Sequence, residues 1–350
     1  MKIMITGGAG FIGSNLILSW LENHPEDILV NFDCLTYAGN LANLKEIENH
    51  SNYHFYKGDL RLPKDIEAAF EKYQIEAVIH LAAESHVDRS ILTPDQFIQT
   101  NIVGTFNLLE TAKHFWQTEL SKHRFLHVST DEVYGSLGES GYFQETTPYR
   151  PNSPYSASKA GSDHLVRAYY HTYGMNTIIT NCSNNYGPYQ FPEKLIPLLI
   201  KNCMEQKPIP VYGNGSNIRD WLYVKDHCCA IDLAFHKASA GETYNIGGLN
   251  EWKNIDIVRY ICRYLDEKLN RSGDNSCQQL ITFVKDRPGH DQRYAIDASK
   301  IQQTLSWQPE FSFEIGIQET INWYLDHQAW VAQVTSGEYQ KYYIQQYEKR

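Results

Sequence analysis

Tyr155 and Lys159 stand four residues apart in a stretch of helical periodicity, which stacks them on one helix face. A free phenol titrates at about pH 10 and is a poor base at neutral pH, but a nearby ammonium favours the phenolate. Such a group can take a proton from a substrate hydroxyl while hydride leaves the carbon beneath it. Y-x-x-x-K arises by chance in many helices, so the pair gains meaning only from its surroundings.

A second group of reactive types is Ser129-Thr130-Asp131-Glu132, directly after the strand-like run Phe125–Ser129. The carboxyl ends of strands in an open parallel sheet are where ligands bind. Simple alcohol oxidation there needs only a hydroxyl donor such as Thr130. Two adjacent carboxyl groups suit proton chemistry, in which a base removes a carbon-bound proton and an acid protonates a departing hydroxyl. Different environments can divide those roles between Asp131 and Glu132. The plainer reading has both acids capping the next helical turn. Because a strand alternates its faces, both can reach one ligand only if the chain leaves strand geometry, as Tyr134-Gly135 suggests.

The third feature is TGGAGFIGS at the end of the first strand. Gly8, Gly10 and Gly13 satisfy G-x-G-x-x-G, and Gly7, Gly10 and Gly13 satisfy G-x-x-G-x-x-G. Side chains at those positions would block a sharp turn into a helix whose first amides face a pyrophosphate. The motif alone is weak, but here it follows a strand and opens a helix, and a dinucleotide site is expected. Asp33 follows Gly13 at the end of the second strand, where a carboxylate accepts ribose hydroxyls and repels a 2′-phosphate, so NAD is expected over NADP. Asp59, in KGDL after the third strand, is a candidate for the adenine side. A nicotinamide held beside Tyr155 would further favour its phenolate.

The elements that must carry these residues are legible. Strand-like runs at Lys2–Thr6, Ile28–Phe32, Tyr53–Lys57, Ala77–Leu81, Phe125–Ser129 and Thr177–Cys182 alternate with helical patterns. The helices are Phe11–Asn23, Asp65–Tyr73, Pro94–Trp116 and Pro154–Tyr173. This alternation implies an α/β fold with a doubly wound, Rossmann-type parallel sheet. Ser153 is placed to cap the last of these helices, Pro154 to open it and Gly174 to close it. Past Asn184, prolines break the chain into a smaller α+β lobe, with strands at Ile209–Tyr212 and Thr243–Ile246 and helices at Ile255–Leu269 and Phe313–His327. The expected division is 1–183 for the dinucleotide, with a return near 217–250, then 184–216 and 251–330 for the substrate lobe, and 331–350 as a tail or helix.

Composition narrows the classes. A net charge of −10 argues against a nucleic-acid binder, and no apolar run is long enough for a membrane span. The N-terminal apolar stretch is too short for a signal peptide, so a cytoplasmic protein is expected. Cys34, Cys182, Cys203, Cys228, Cys229, Cys262 and Cys277 are scattered without a CxxC pair, and are read as reduced and mostly buried; no metal is expected.

The strings TGGAGFIGS, HLAAESHVDRS, STDEVYG, YSASK, NCSNNYGPYQFPEKLIP, IRDWLYVKDH, ETYNIGG and DRPGHDQRYAID run from Met1 to about Tyr324. In them the chain resembles the dTDP-glucose 4,6-dehydratases, a branch of the extended short-chain dehydrogenase/reductase family. The resemblance implies NAD as cofactor, a dTDP-glucose substrate and a homodimer. It implies that Thr130 orients the substrate, Asp131 is the acid, Glu132 the base, and Tyr155 with Lys159 serves hydride transfer. NAD-contacting positions implied by it are Phe11, Ile12, Asp33, Cys34, Leu35, Thr36, Asp59, Leu60, Leu81, Ala82, Ala83, Glu84, Ser85, Thr100 and Asn185. Substrate positions are Ser85, Arg89, Asn184, Lys194, Leu195, Pro210, Val211, Tyr212, Arg219, Asn254, Asp286, Arg287, Pro288, Gly289 and His290. Arg219 and Arg287 are planar, permanently charged forks suited to a pyrophosphate. His86 and His290 are read as polar groups near the cleft without a catalytic role. Between Gly135 and Phe143 the chain is shorter than some relatives. A 4-epimerase or another nucleotide-sugar dehydratase would share the fold and Y-x-x-x-K, though an epimerase has no need of the acid pair. A non-catalytic NAD-binding protein would have no use for Tyr155 and Lys159.

Overall fold

The computed structural model describes residues 1–286 and 290–336. Six strands alternate with helices in the first half: β1 (Lys2–Thr6), β2 (Ile28–Asp33), β3 (Tyr53–Lys57), β4 (Ala77–His80), β5 (Arg124–Thr130) and β6 (Thr177–Cys182). Then follow β7 (Asn184–Tyr186), β8 (Ile209–Tyr212), β9 (Ile218–Tyr223), β10 (Thr243–Ile246), β11 (Glu251–Lys253) and β12 (Ile281–Val284). The main sheet runs β10-β6-β5-β4-β1-β2-β3, every pair parallel. This is the doubly wound α/β sheet expected.

Period-2 alternation divides the strand residues between two cores, one on each face. Ile3, Ile5, Ala77, Ile79, Leu126 and Val128 join the core on one side. Met4, Val78 and Phe125 join the core on the other, where His80 and His127 also fall, fully buried. The chain order reverses on the two sides of β1, and the crevice above such a switch point is where ligands bind.

The smaller lobe has its own apolar core, including Tyr186, Ile196, Ile200, Trp221, Ile257, Ile261, Phe313 and Ile317. Its strands form a β11-β9-β7 sheet and a β12-β8 pair. No helix among the described residues is long and apolar enough to cross a membrane.

The expected helix Pro94–Trp116 is interrupted. It runs as α-helix over Pro94–Phe97, π-helix over Ile98–Val103 and α-helix again over Gly104–Trp116. The wide turn seats Asn101, whose amide bridges the Glu84 backbone and the Ser158 hydroxyl. Side-chain bonds of this kind compensate the weaker ladder of a π turn, which recurs near functional sites.

Candidate active site

The glycine turn sits where β1 meets the helix Phe11–Asn23, with Gly10 as its N-cap. Gly7 has φ +70°, a conformation costly for other residues. A Cβ on Gly13 would overlap the Gly7 carbonyl oxygen and stand 2.7 Å from Gly8 Cα. These glycines bring strand and helix too close for any side chain. Asp33 ends β2 beside them, its two oxygens accepting from Ala9 N–H (3.1 Å) and Leu35 N–H (2.8 Å). Burial pushes its carboxyl up, while those two amides favour the anion.

A cavity of about 330 Å³ opens over the carboxyl ends of the strands. Gly7, Gly10, Phe11, Ile12, Gly13, Asp33, Cys34, Thr36, Asp59, Leu60, Leu81, Ala82, Ala83, Glu84, Ser85, Thr100 and Asn185 line it. So do Thr130, Glu132, Tyr155, Lys159, Asn184 and Lys194. Leu35 is not in the lining; it turns through φ +56° while its amide holds Asp33.

The acid pair separates at the end of β5. Thr130 is extended (φ −139°, ψ 152°) and caps the 3₁₀ turn Asp131–Tyr134, accepting from Glu132 N–H. Gly135, at φ +91°, releases the chain. The turn expected from Tyr134-Gly135 thus begins earlier, at Asp131, because Thr130 offers the cap. Glu132 faces the cavity, whereas Asp131 is buried beneath it at 1% exposure. Burial, the neighbouring Glu132 and Asp220 push the Asp131 carboxyl well above the usual range. The Thr130 hydroxyl donates to Asp131 Oδ1 at 3.4 Å.

Tyr155 and Lys159 enter from the helix Pro154–Tyr173. Ser153 caps it by accepting from Ser156 N–H at 3.0 Å, and Ser156 returns the bond to Ser153 N–H, so its first turn is fixed where Tyr155 sits. Gly174 closes it at φ +68°. Both catalytic candidates are buried. The chain alone does not lower the phenol as the residue types led us to expect. Burial first, then Glu132 and Cys182, pushes Tyr155 well above its ordinary range, with the Thr130 hydroxyl acting the other way. Lys159 Nζ donates to the Val128 carbonyl at 2.9 Å, and burial draws it down to about 8.

The other expected substrate residues lie outside the lining. Arg89 pairs with Glu193 at 3.1 Å and covers the Tyr37 ring at 3.8 Å. Tyr212 donates to Asp88 at 2.9 Å, and its ring meets His290, which bonds Asp286 at 2.6 Å. Arg219 stacks on Tyr294 at 4.3 Å and donates to the Asp291 carbonyl at 2.9 Å. Pro210 and Val211 belong to β8; Leu195 and Asn254 open the helices Leu195–Glu205 and Asn254–Lys268. Arg287, Pro288, Gly289 and the tail from 337 onward lie outside the described residues.

A model of the GDP-mannose 4,6-dehydratase family matches residues 4–320. The dTDP-glucose 4,6-dehydratase of Salmonella typhimurium is 54% identical over 363 residues, covering 100% of both chains. The chain belongs to the dTDP-glucose 4,6-dehydratase family. Among solved structures, a dTDP-glucose 4,6-dehydratase from Bacillus anthracis in complex with NAD shares 45% identity at a TM-score of 0.85, covering 95% of this chain and 99% of that one. A UDP-glucose 4-epimerase from Thermus thermophilus, also complexed with NAD, shares 27% identity at a TM-score of 0.81, covering 93% and 100%.

For this member of the dehydratase family, the structure adds lining residues that the sequence reading missed: Gln96, Cys182, Ser183, Gln190, Phe191 and Glu193 among them. Gln96 carried no signal, lying one turn before Thr100 on the helical stretch. Ser183, Gln190, Phe191 and Glu193 flank Asn184 and Lys194, so the NCSNNYGPYQFPEKLIP run was the available clue.

Proposed function

We propose that this chain converts dTDP-glucose to dTDP-4-keto-6-deoxyglucose, using NAD held along the glycine turn. The observation that carries the reading is the convergence of Glu132, Thr130, Tyr155 and Lys159 on the one cavity that also holds Asp33 and the glycines. The cavity fits the cofactor: Gly7 and Gly13 let the strand and the helix close into a tight turn at its wall, and Asp33 offers acceptors to a ribose. Bound there, NAD supplies a hydride acceptor for C4 and the store from which C6 is reduced.

The residues supply the rest. Thr130 orients the sugar, and Tyr155 takes the C4 hydroxyl proton with Lys159 behind it. A C4 ketone makes the C5 proton acidic, and Glu132 removes it. Asp131, kept protonated by its burial, provides the proton that lets the C6 hydroxyl leave as water, with the Thr130 hydroxyl spanning acid and cavity. A proton then returns to C5.

Residues 1–183 serve NAD in this reading, with a return through the helix Val224–Lys237 and β10 and not the whole of 217–250, because β9 joins the smaller sheet; 184–223 and 251–330 serve the nucleotide sugar. Ser85, Arg89, Asn184, Lys194, Leu195, Pro210, Val211, Tyr212, Arg219, Asn254 and the Asp286–His290 segment are its proposed substrate contacts. The protein works in the cytoplasm as a homodimer, joined through the helical stretches Pro94–Trp116 and Pro154–Tyr173, where Ile98 and Phe106 are exposed. Light scattering that found a monomer at micromolar concentration would remove the dimer.

The test is to offer purified protein several nucleotide-glucose donors and follow mass loss. Loss of one water from dTDP-glucose, with deuterium entering C5 in D₂O, is expected. Inversion without water loss would identify a 4-epimerase instead, and no turnover of any donor would leave a binding protein.

A further inference from the structure

Lys159 and Asp163 lie one turn apart on the buried face of the helix Pro154–Tyr173, both under 5% exposed. Asp163 Oδ2 accepts from the Ser129 hydroxyl at 2.9 Å and the Tyr149 hydroxyl at 3.0 Å. Its Oδ1 stands 3.2 Å from His127 Nε2, which is itself 3.4 Å from Lys159 Nζ. A carboxyl in so dry a place needs a countercharge. His127 is a poor one, because burial and Lys159 both drive it toward the neutral form.

We propose that Asp163 is a positioning residue for the hydride step: its carboxylate holds Lys159 as the ammonium that Tyr155 requires. This rests on the function proposed above, and it assigns work to a residue that does not line the cavity. Every group around the pair is consistent with it. Lys159 is also faced by Cys182 from β6 and by His80 from β4; Asp163 is also faced by His164 on its own helix and by Tyr134 across the turn. The buried histidines of β4 and β5, His80 and His127, are both pushed toward neutrality, so neither takes the place of Lys159 as the countercharge to Asp163. Asp163 is raised to about 6 and Lys159 lowered to about 8, so both carry charge between those values. Below that window the acid is protonated and the lysine keeps its charge unaided. Above it the ammonium is lost.

Asp163→Asn tests this in two ways. With ¹⁵N-lysine labelling, and Lys159→Arg to assign the signal, the Lys159 titration midpoint should fall by about one pH unit or more, since a neutral amide no longer favours the ammonium. Turnover should fall by about tenfold or more at pH 8 with KM little changed, and the deficit should shrink toward pH 5.5, where wild-type Asp163 is itself protonated. A folded variant whose Lys159 midpoint is unmoved, or whose deficit is constant with pH, overturns the proposal. If Asp163→Asn does not fold, Tyr149→Phe takes its place: losing one donor should move the acid inflection that Asp163 imposes on the Lys159 ¹⁵N signal to higher pH, and an unmoved or absent inflection overturns the idea equally. A wild-type protein that dehydrates nothing would sink the proposed function, while the lysine titration would still report on the pair.

Discussion

The backbone N–H of Glu132 donates to the Thr130 hydroxyl at 3.3 Å, and this bond turns the chain out of β5. Without it the two acids would point to opposite faces of the strand. With it Glu132 meets the cavity and Asp131 goes beneath, so neighbours in sequence occupy different media. In the function proposed above, the division of labour between base and acid follows from that turn.

Glu132→Gln keeps shape and hydrogen bonding but removes the base. Water loss should fall by about 10²–10⁴, the range of general base catalysis. Oxidation at C4 should survive, visible as reduced-cofactor absorbance on adding substrate. Normal dehydration by this variant would count against Glu132 as the base.

Asp131→Asn should lower turnover yet stabilise the fold. The carboxyl is raised far above its unfolded value of about 3.9, so the native state binds a proton that the unfolded chain releases as pH rises. Wild type therefore loses stability with rising pH on account of this residue, and asparagine does not titrate. The melting temperature of the variant should exceed that of wild type by more at pH 8 than at pH 5. A gap that stays the same from pH 5 to pH 8 would mean Asp131 is ionised in the folded protein.

Gly13→Ala and Gly138→Ala make a matched pair. The first forces a Cβ onto backbone atoms of Gly7 and Gly8, which cannot move aside, whereas the second meets nothing within 4 Å. Overpacking of this kind costs about 1–3 kcal/mol, and NAD retention should fall with it. Thermal unfolding and the cofactor content of purified protein measure both; equal behaviour of the two variants would argue against the tight turn.

Replacing Asp33 by serine removes a charged acceptor at the end of β2. Hydrogen bonds to charged groups contribute about 1.5–3 kcal/mol, so NAD affinity should drop roughly ten- to a hundredfold. NADP, no longer repelled, should gain relative to NAD in a binding titration. An unchanged preference would place the adenosine ribose elsewhere.

Composition and periodicity by themselves determined the parallel sheet, the glycine turn, Asp33 and the Tyr155–Lys159 pair. These are local properties: strand alternation, a helix repeat near four residues and turn glycines act over a few residues and need no distant partner. The capped helix Ser153–Gly174 is legible for the same reason. Only the tertiary structure decided which acid faces the cavity, because that depends on what packs over Asp131, with Asp220 and Arg219 reaching it from far along the chain. It also decided that Pro94–Trp116 widens to a π turn around Asn101, whose partners Glu84 and Ser158 come from far along the chain. The burial that raises Tyr155 and sets Asp163 against Lys159 belongs to the same class. Desolvation depends on what packs around a group from every side, and no spacing along a single segment encodes it.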